Sequence, residues 1–346
     1  MGQDSINIGL IGAGGNVKLR HIPGFQAIDG VNVTAVSNRS IASGKKIAEE
    51  FGIQNVYGNW IEVMEDPEID GICIGTWPYM HCTLTVTGLE YGKHVMTEAR
   101  MAMDASEAHT MLEASRQYPG QITQIVPAPH TLNLDKTIKK LINEGYLGEL
   151  LSVDASITQG GFVDQNKPFH WRQNRDFSGF NIMGLGIWYE AIMRWVGPAS
   201  SVQALTKITV PSRLDAKGDR NIISIPDHVD ILCETFSGPL LHIKFSDVLG
   251  HAPDNAVWIY GTQGTLKIDG SNFKLYGGRK TDDGVSEIKI SSDLQGDWRV
   301  EEEFIGAIRG HEQITHTSFE DGVRYMEFTE AVTRSSQSGE KISLPS

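Results

Sequence analysis

The feature that most constrains this chain is an apolar run that ends in a glycine-rich turn. Ile6 to Gly15 reads INIGLIGAGG, and an amphipathic stretch follows. Small residues in such a turn let the backbone approach a pyrophosphate. The next helix then offers the unpaired N–H groups of its first turn to the same anion. Glycine also marks ordinary turns, so Gly12, Gly14 and Gly15 draw their weight from the strand before them and the helix after them. The third glycine position of the fingerprint is filled by Asn16 or Val17.

The pattern then repeats. Apolar strand-like runs fall near 6–11, 31–36, 71–75, 93–97 and 122–126, separated by helix-like stretches such as Ser40–Phe51 and Ala105–Tyr118. Such alternation predicts a parallel sheet with helices on both faces. Pro127-Ala128-Pro129 breaks it, which sets a boundary between a domain over 1–127 and a second over 128–346. The second opens with an amphipathic helix over Leu132–Glu144. Extended segments follow at 151–158, 201–210, 228–234, 240–247, 255–260 and 265–268, and a helix starts at Phe319. The expected class is α/β: an N-terminal Rossmann dinucleotide-binding domain, then an α+β domain with a large, mostly antiparallel sheet.

Composition narrows the function. The 346 residues allow two sizeable cores. Lys plus Arg is 30 against 43 for Asp plus Glu, a net charge of −13 with no basic cluster, so no nucleic-acid partner is expected. The three cysteines and eleven histidines lack metal-ligand spacing, so no metal site is expected. No apolar run approaches the ~18 residues of a membrane span, and no charged-then-apolar leader precedes the first strand. These points predict a cytoplasmic protein without a membrane partner.

The end of the second strand bears on cofactor choice. NAD-binding versions of this fold place an acidic residue there for the ribose hydroxyls. This chain has Ser37-Asn38-Arg39-Ser40, with no carboxylate to repel a 2′-phosphate. Arg39 suits that phosphate, and NADP is the slightly preferred cofactor. If the cofactor is NAD, Asn38 serves its ribose.

Gly92 to Met103, GKHVMTEARMAM, resembles the "G-K-H-V-x-x-E-K-P" segment of the glucose–fructose oxidoreductase / inositol dehydrogenase / MocA (Gfo/Idh/MocA) family. Thr76-Trp77-Pro78-Tyr79-Met80-His81 resembles the family's "T-P-x-x-x-H" turn, and Gly261 to Leu266 its "G-x-x-G-x-L" hairpin. The step from the glycine turn to His21-Ile22-Pro23 is slightly long for the family. The resemblance spans nearly the whole chain. It implies that Thr76, Trp77, His81 and Glu98 lie on the cofactor side. It also implies a sugar or polyol substrate, and a homodimer or homotetramer assembled through the open sheet of the second domain.

The usual acid/base residues of that family are replaced. The E-K-P lysine falls at Ala99 and the proline at Arg100. Residues 178–197 resemble "G-G-G-x-x-x-D-x-G-x-H-x-x-D", with the aspartate position at Gly184 and the histidine position at Trp188. None of Ala99, Gly184 and Trp188 can take a proton. His170, His130 and Tyr189 are the replacement candidates, in that order. Arg100, Trp171, Arg172 and Trp188 are the candidate substrate contacts, through charge-assisted hydrogen bonds and ring faces. The leading expectation is an NAD(P)-dependent oxidoreductase acting on a sugar, sugar acid or cyclitol. A redox-neutral, nicotinamide-dependent glycoside hydrolase or lyase is the alternative, and a non-catalytic sugar or cofactor sensor is the third reading.

Overall fold

The computed structural model describes residues 5–158 and 161–346. The chain divides into two compact units. One comprises Met1–Pro127 with Arg299–Met326; the other comprises Ala128–Trp298 with Glu327–Ser346. The expected single boundary after residue 127 therefore needs correcting, because the chain returns to the first unit at Arg299 and leaves it after Met326. The proline pair is a local signal. The return is set by packing that no local pattern reveals.

The first unit is built on six parallel strands: β1 (Ile6–Ile11), β2 (Val31–Ser37), β3 (Asn55–Tyr57), β4 (Gly71–Ile74), β5 (His94–Thr97) and β6 (Thr123–Ile125). Their order is β3-β2-β1-β4-β5-β6. Ile8, Leu10, Ile72, Ile74, Val95 and Met96 are fully buried, as expected for a sheet covered on both faces. Helices α1 (Ile22–Gln26), α2 (Ile41–Phe51), α3 (Trp60–Glu65), α4 (His81–Glu90) and α5 (Ala105–Gln117) connect the strands. Ser40 caps α2 by accepting from the Ser43 N–H, and Asp104 caps α5 by accepting from the Glu107 N–H. The short β3 and α3 lie between the sequence runs and were not anticipated.

The second unit carries helices α6 (Leu132–Asn143), α7 (Arg175–Ser178) and α8 (Leu185–Val196) and the remaining described strands. These strands are β7 (Leu150–Thr158), β8 (Ala199–Lys207), β9 (Ser212–Leu214), β10 (Arg220–Ile222), β11 (His228–Thr235), β12 (Leu240–Ser246), β13 (Ala256–Gly261), β14 (Gly264–Asp269), β15 (Lys274–Arg279), β16 (Ser286–Glu287) and β17 (Ile342–Ser343). Nine of them form one sheet of order β16-β15-β14-β13-β7-β12-β11-β8-β17. The β7–β12 pair is parallel and the other pairs are antiparallel. Leu151, Leu205, Leu232 and Leu240 stand exposed on these strands, Leu205 at 75%. Helix α9 (Val300–Ile308) belongs to the returning segment, and α10 (Phe319–Ser338) begins there and ends in the second unit. Among the described residues, no helix is long and apolar enough to cross a membrane.

Candidate functional site

The strand order of the first sheet reverses between β1 and β4, and in such sheets ligands bind beyond the carboxyl ends of the strands at that point. The glycine turn lies there, directly after β1. Gly12 has φ +85°, and a Cβ on it would meet the Thr76 backbone nitrogen at 2.8 Å. Only glycine satisfies both conditions. A Cβ on Gly15 would meet nothing within 4 Å, so space opens above the turn. The first helical bond runs from the Lys18 N–H to the Gly14 carbonyl. The N–H groups of Gly12, Ala13 and Gly14 are taken by Ser37, Asn38 and the Gly12 carbonyl, and those of Gly15, Asn16 and Val17, just before that bond, suit a bound anion. Asn38 acts on the turn itself: its Oδ1 accepts from the Ala13 N–H at 2.7 Å. Arg39 is exposed just beyond. The residues present fit a dinucleotide.

The long step to His21 has a structural cause. Val17–His21 is a π-helical turn that runs straight into α1. A π turn absorbs an extra residue and often marks a functional position. It carries His21 into the interior, at 0% exposure. There Nδ1 of His21 bonds Glu301 of α9, and Nε2 lies 3.1 Å from Glu98 Oε1. The Asn16 amide donates to the same Glu98 oxygen at 2.5 Å. Burial pulls the His21 pKa down, but the two carboxylates more than offset it and hold it at about 9. Burial raises the Glu98 pKa, but His21 and Asn16 more than offset it and keep it below the usual carboxylate range.

His81, expected on the cofactor side, is fully buried. Its Nε2 faces the Thr76 carbonyl at 3.0 Å, and its Nδ1 faces the Arg100 carbonyl at 3.0 Å and that of Met101 at 3.3 Å. It ties the loop after β4 to the loop after β5. Burial lowers its pKa, although the carbonyls and Glu98 pull the other way. Trp77 is half-buried, with its ring 6.4 Å from that of Tyr79. Arg100 is 4% exposed, and the Ala99–Arg100 peptide is cis.

The second unit holds the proton-transfer candidates. Tyr189 is enclosed by packing. It is 1% exposed, its ring stacks on Phe328 at 3.5 Å, and its hydroxyl accepts from the Ala199 N–H. His170 is exposed and caps a short 3-10 turn: its Nδ1 accepts from the Arg172 N–H at 3.2 Å. That bond places the proton of the neutral ring on Nε2 and occupies the Nδ1 lone pair, so the ring cannot take a second proton without breaking the cap. Burial and then the charge of Arg172 lower its pKa. The Arg172 guanidinium sits 4.3 Å over the Trp171 ring. His130 is exposed, yet its ring lies nearly parallel to Phe273 at 5.3 Å and to Trp188 at 5.7 Å. Trp188 itself is 4% exposed. Phe273 has φ +53°, a backbone conformation rare for an aromatic residue and one that gathers at functional sites. Among the described residues, no group of three or more His, Cys, Asp or Glu could hold a metal ion.

Sequence reasoning missed Asn16 as a contact, His21 and Glu301. The one local signal was the irregular spacing before His21. Nothing near residue 301 announces a partner 280 positions away.

The parallel sheet, its switch point and the glycine turn define a dinucleotide-binding α/β protein. Residues 6–124 match the oxidoreductase family with an NAD-binding Rossmann fold, and residues 136–267 match the GFO/IDH/MocA C-terminal domain. The chain belongs to this family and is an NAD(P)-dependent oxidoreductase of the Gfo/Idh/MocA type. It is 25% identical over 295 residues to levoglucosan dehydrogenase of Pseudarthrobacter phenanthrenivorans, covering 76% of this chain and 73% of that one. It is 24% identical over 268 residues to bovine (Bos taurus) trans-1,2-dihydrobenzene-1,2-diol dehydrogenase, covering 76% and 72%. The structure of levoglucosan dehydrogenase in complex with NADH and levoglucosan superposes with a TM-score of 0.85 at 20% identity, covering 99% of this chain and 100% of that one.

Proposed function

We propose that this chain oxidises or reduces a sugar, sugar acid or cyclitol with a nicotinamide cofactor, through an acid/base group unlike the one usual in its family. When bound, the nicotinamide exchanges a hydride with the substrate carbon. The observation that carries the reading is the open glycine turn at the switch point, whose free first-turn N–H groups suit a pyrophosphate. Gly12, Gly14 and Gly15 form that cradle, and Thr76, Trp77 and Glu98 belong to the same end of the sheet. NADP is favoured over NAD because Arg39 is exposed and no carboxylate stands at 37–40. Arg39→Asp should then move the preference toward NAD, and an unchanged ratio of the two affinities would remove Arg39 from the 2′-phosphate.

His130 takes first place as the proton-transfer group. Its ring is exposed and braced by Trp188 and Phe273. Trp171 and Arg172 offer a ring face and a cation to a polyol. The exposed leucines of the nine-stranded sheet suit an interface between copies of the chain, and three free thiols suit a cytoplasmic setting. A screen of sugars and cyclitols, read at 340 nm, tests the reading. With the active substrate, His130→Ala should lower kcat on the order of 10²-fold, the scale of losing an acid/base group, and His170→Ala far less. The reverse order would restore His170. Product formation without net change at 340 nm would favour the redox-neutral alternative. Binding of nucleotide and sugar without turnover would favour a sensor.

A further inference from the structure

The first unit holds a carboxylate–imidazole–carboxylate group of which the cofactor reading uses only Glu98. The side chains of His21 and Glu301 are 0% and 1% exposed, and that of Glu98 is 16% exposed. Both ring nitrogens of His21 face carboxylate oxygens. Only the imidazolium donates from both. Taking such charges out of water is costly unless each is paired, and the backbone is adapted to the pairing. The π turn delivers His21. Gly24, on α1, has no Cβ where the Glu301 carboxyl carbon lies; one would meet it at 2.8 Å.

We propose that His21 and Glu301 are positioning residues that lock the Glu98 carboxylate in one orientation for the nicotinamide end of the cofactor. This rests on the reading that the first unit binds a nicotinamide nucleotide. Glu98 Oε1 takes the bonds from His21 and Asn16. Oε2 takes none from the described residues, and it is the acceptor for a ribose hydroxyl or carboxamide N–H. Glu301 fixes His21 as a donor at both nitrogens. Among the described residues, Glu98 on the loop after β5 and Glu301 on α9 act on His21. His81 on α4 acts on Glu98. The Cys73 thiol on β4, pushed up by burial, feels both carboxylates. When His21 loses a proton, the close contact with Glu301 keeps the remaining one on Nδ1. The lone pair of Nε2 then faces the Glu98 carboxylate, and the lock opens.

The test follows NADH and NADPH binding by fluorescence from pH 6 to 10 in wild type, His21→Gln and Glu301→Gln. Imidazole ¹H–¹⁵N spectra of wild type accompany it. Wild-type affinity should stay level to about pH 8 and weaken beyond about 9, where His21 titrates. His21→Gln should bind about 10- to 100-fold more weakly at pH 7, the scale of a lost hydrogen bond to a charged group, with no step near pH 9. In Glu301→Gln the step should move to lower pH, and acidification should restore affinity, which a purely structural loss would not do. Folded variants with wild-type affinity and pH profile overturn the proposal. Failure of wild type to bind either nucleotide overturns the cofactor reading beneath it. Where the variants do not fold, the spectra decide. Two His21 ring N–H signals at pH 8 that shift on adding NADH support the lock; one ring N–H, or no response to NADH, overturns it.

Discussion

Each unit buries one cation between two carboxylates, and the two clusters behave differently. In the first unit the cation is His21, between Glu98 and Glu301. In the second it is Arg194, whose Nη1 lies 2.8 Å from Glu190 and whose Nη2 lies 3.1 Å from Asp135. The three side chains of the second cluster are 9%, 5% and 3% exposed. Their spare valences hold the chain: Glu190 accepts from the Ala128 N–H, Arg194 donates to Thr131 Oγ1, and Asp135 accepts from the Trp195 indole. This cluster clamps residues 128–131, the segment that presents His130 beside Trp188. A guanidinium keeps its proton in proteins, so that clamp is permanent. The imidazolium of the first cluster is conditional. The comparison teaches that the same charge arrangement gives a fixed brace or a titratable one according to the cation chosen.

The largest effect should come from breaking the permanent brace. Arg194→Met strands two buried carboxylates and should cost about 3–5 kcal/mol, read by urea unfolding; a loss well below 1 kcal/mol would show that the cluster is not the brace described. Next is the conditional brace. His21→Gln should cost about 1–3 kcal/mol at pH 6. The sign of the pH dependence follows from the raised pKa. His21's contribution is fully present below its ordinary 6.5, declines above it and is gone once the pH passes about 9. The stability gap between wild type and His21→Gln should therefore shrink from pH 6 to pH 10, while the gap for Arg194→Met, which strands two carboxylates, should not shrink over that range. A constant His21 gap would mean that the residue is neutral in the fold. The smallest effect sharpens the comparison from outside. Lys274 and Glu287 also meet at 2.8 Å, but both are about half exposed. Lys274→Ala should leave the unfolding midpoint unchanged, because solvent screens such pairs; a clear drop would mean that distance, not burial, sets the strength.

Much of the fold was legible because its signals are local. The runs at 6–11, 31–36 and 71–75 are rich in Ile and Val and end at turn residues, and they became β1, β2 and β4. The glycine turn was legible for the same reason. The candidate site was less so. Tyr189 and Trp188 adjoin in sequence, and only the packing of α8 shows that Tyr189 stacks on Phe328 while Trp188 meets His130. His170 reads as a titratable group until its nitrogen is seen capping a turn.

By itself, the sequence determined the two-part α/β plan and the dinucleotide turn. Each is written in residue types at short spacing. Only the tertiary structure decided that residues 299–326 return to the first unit, that His81 is a tie between loops, and that Glu301 completes a buried cluster with His21 and Glu98. Those outcomes join positions far apart in the chain. What selects them is the cost of burying an unpaired charge, which is settled only when the distant partners are brought into contact.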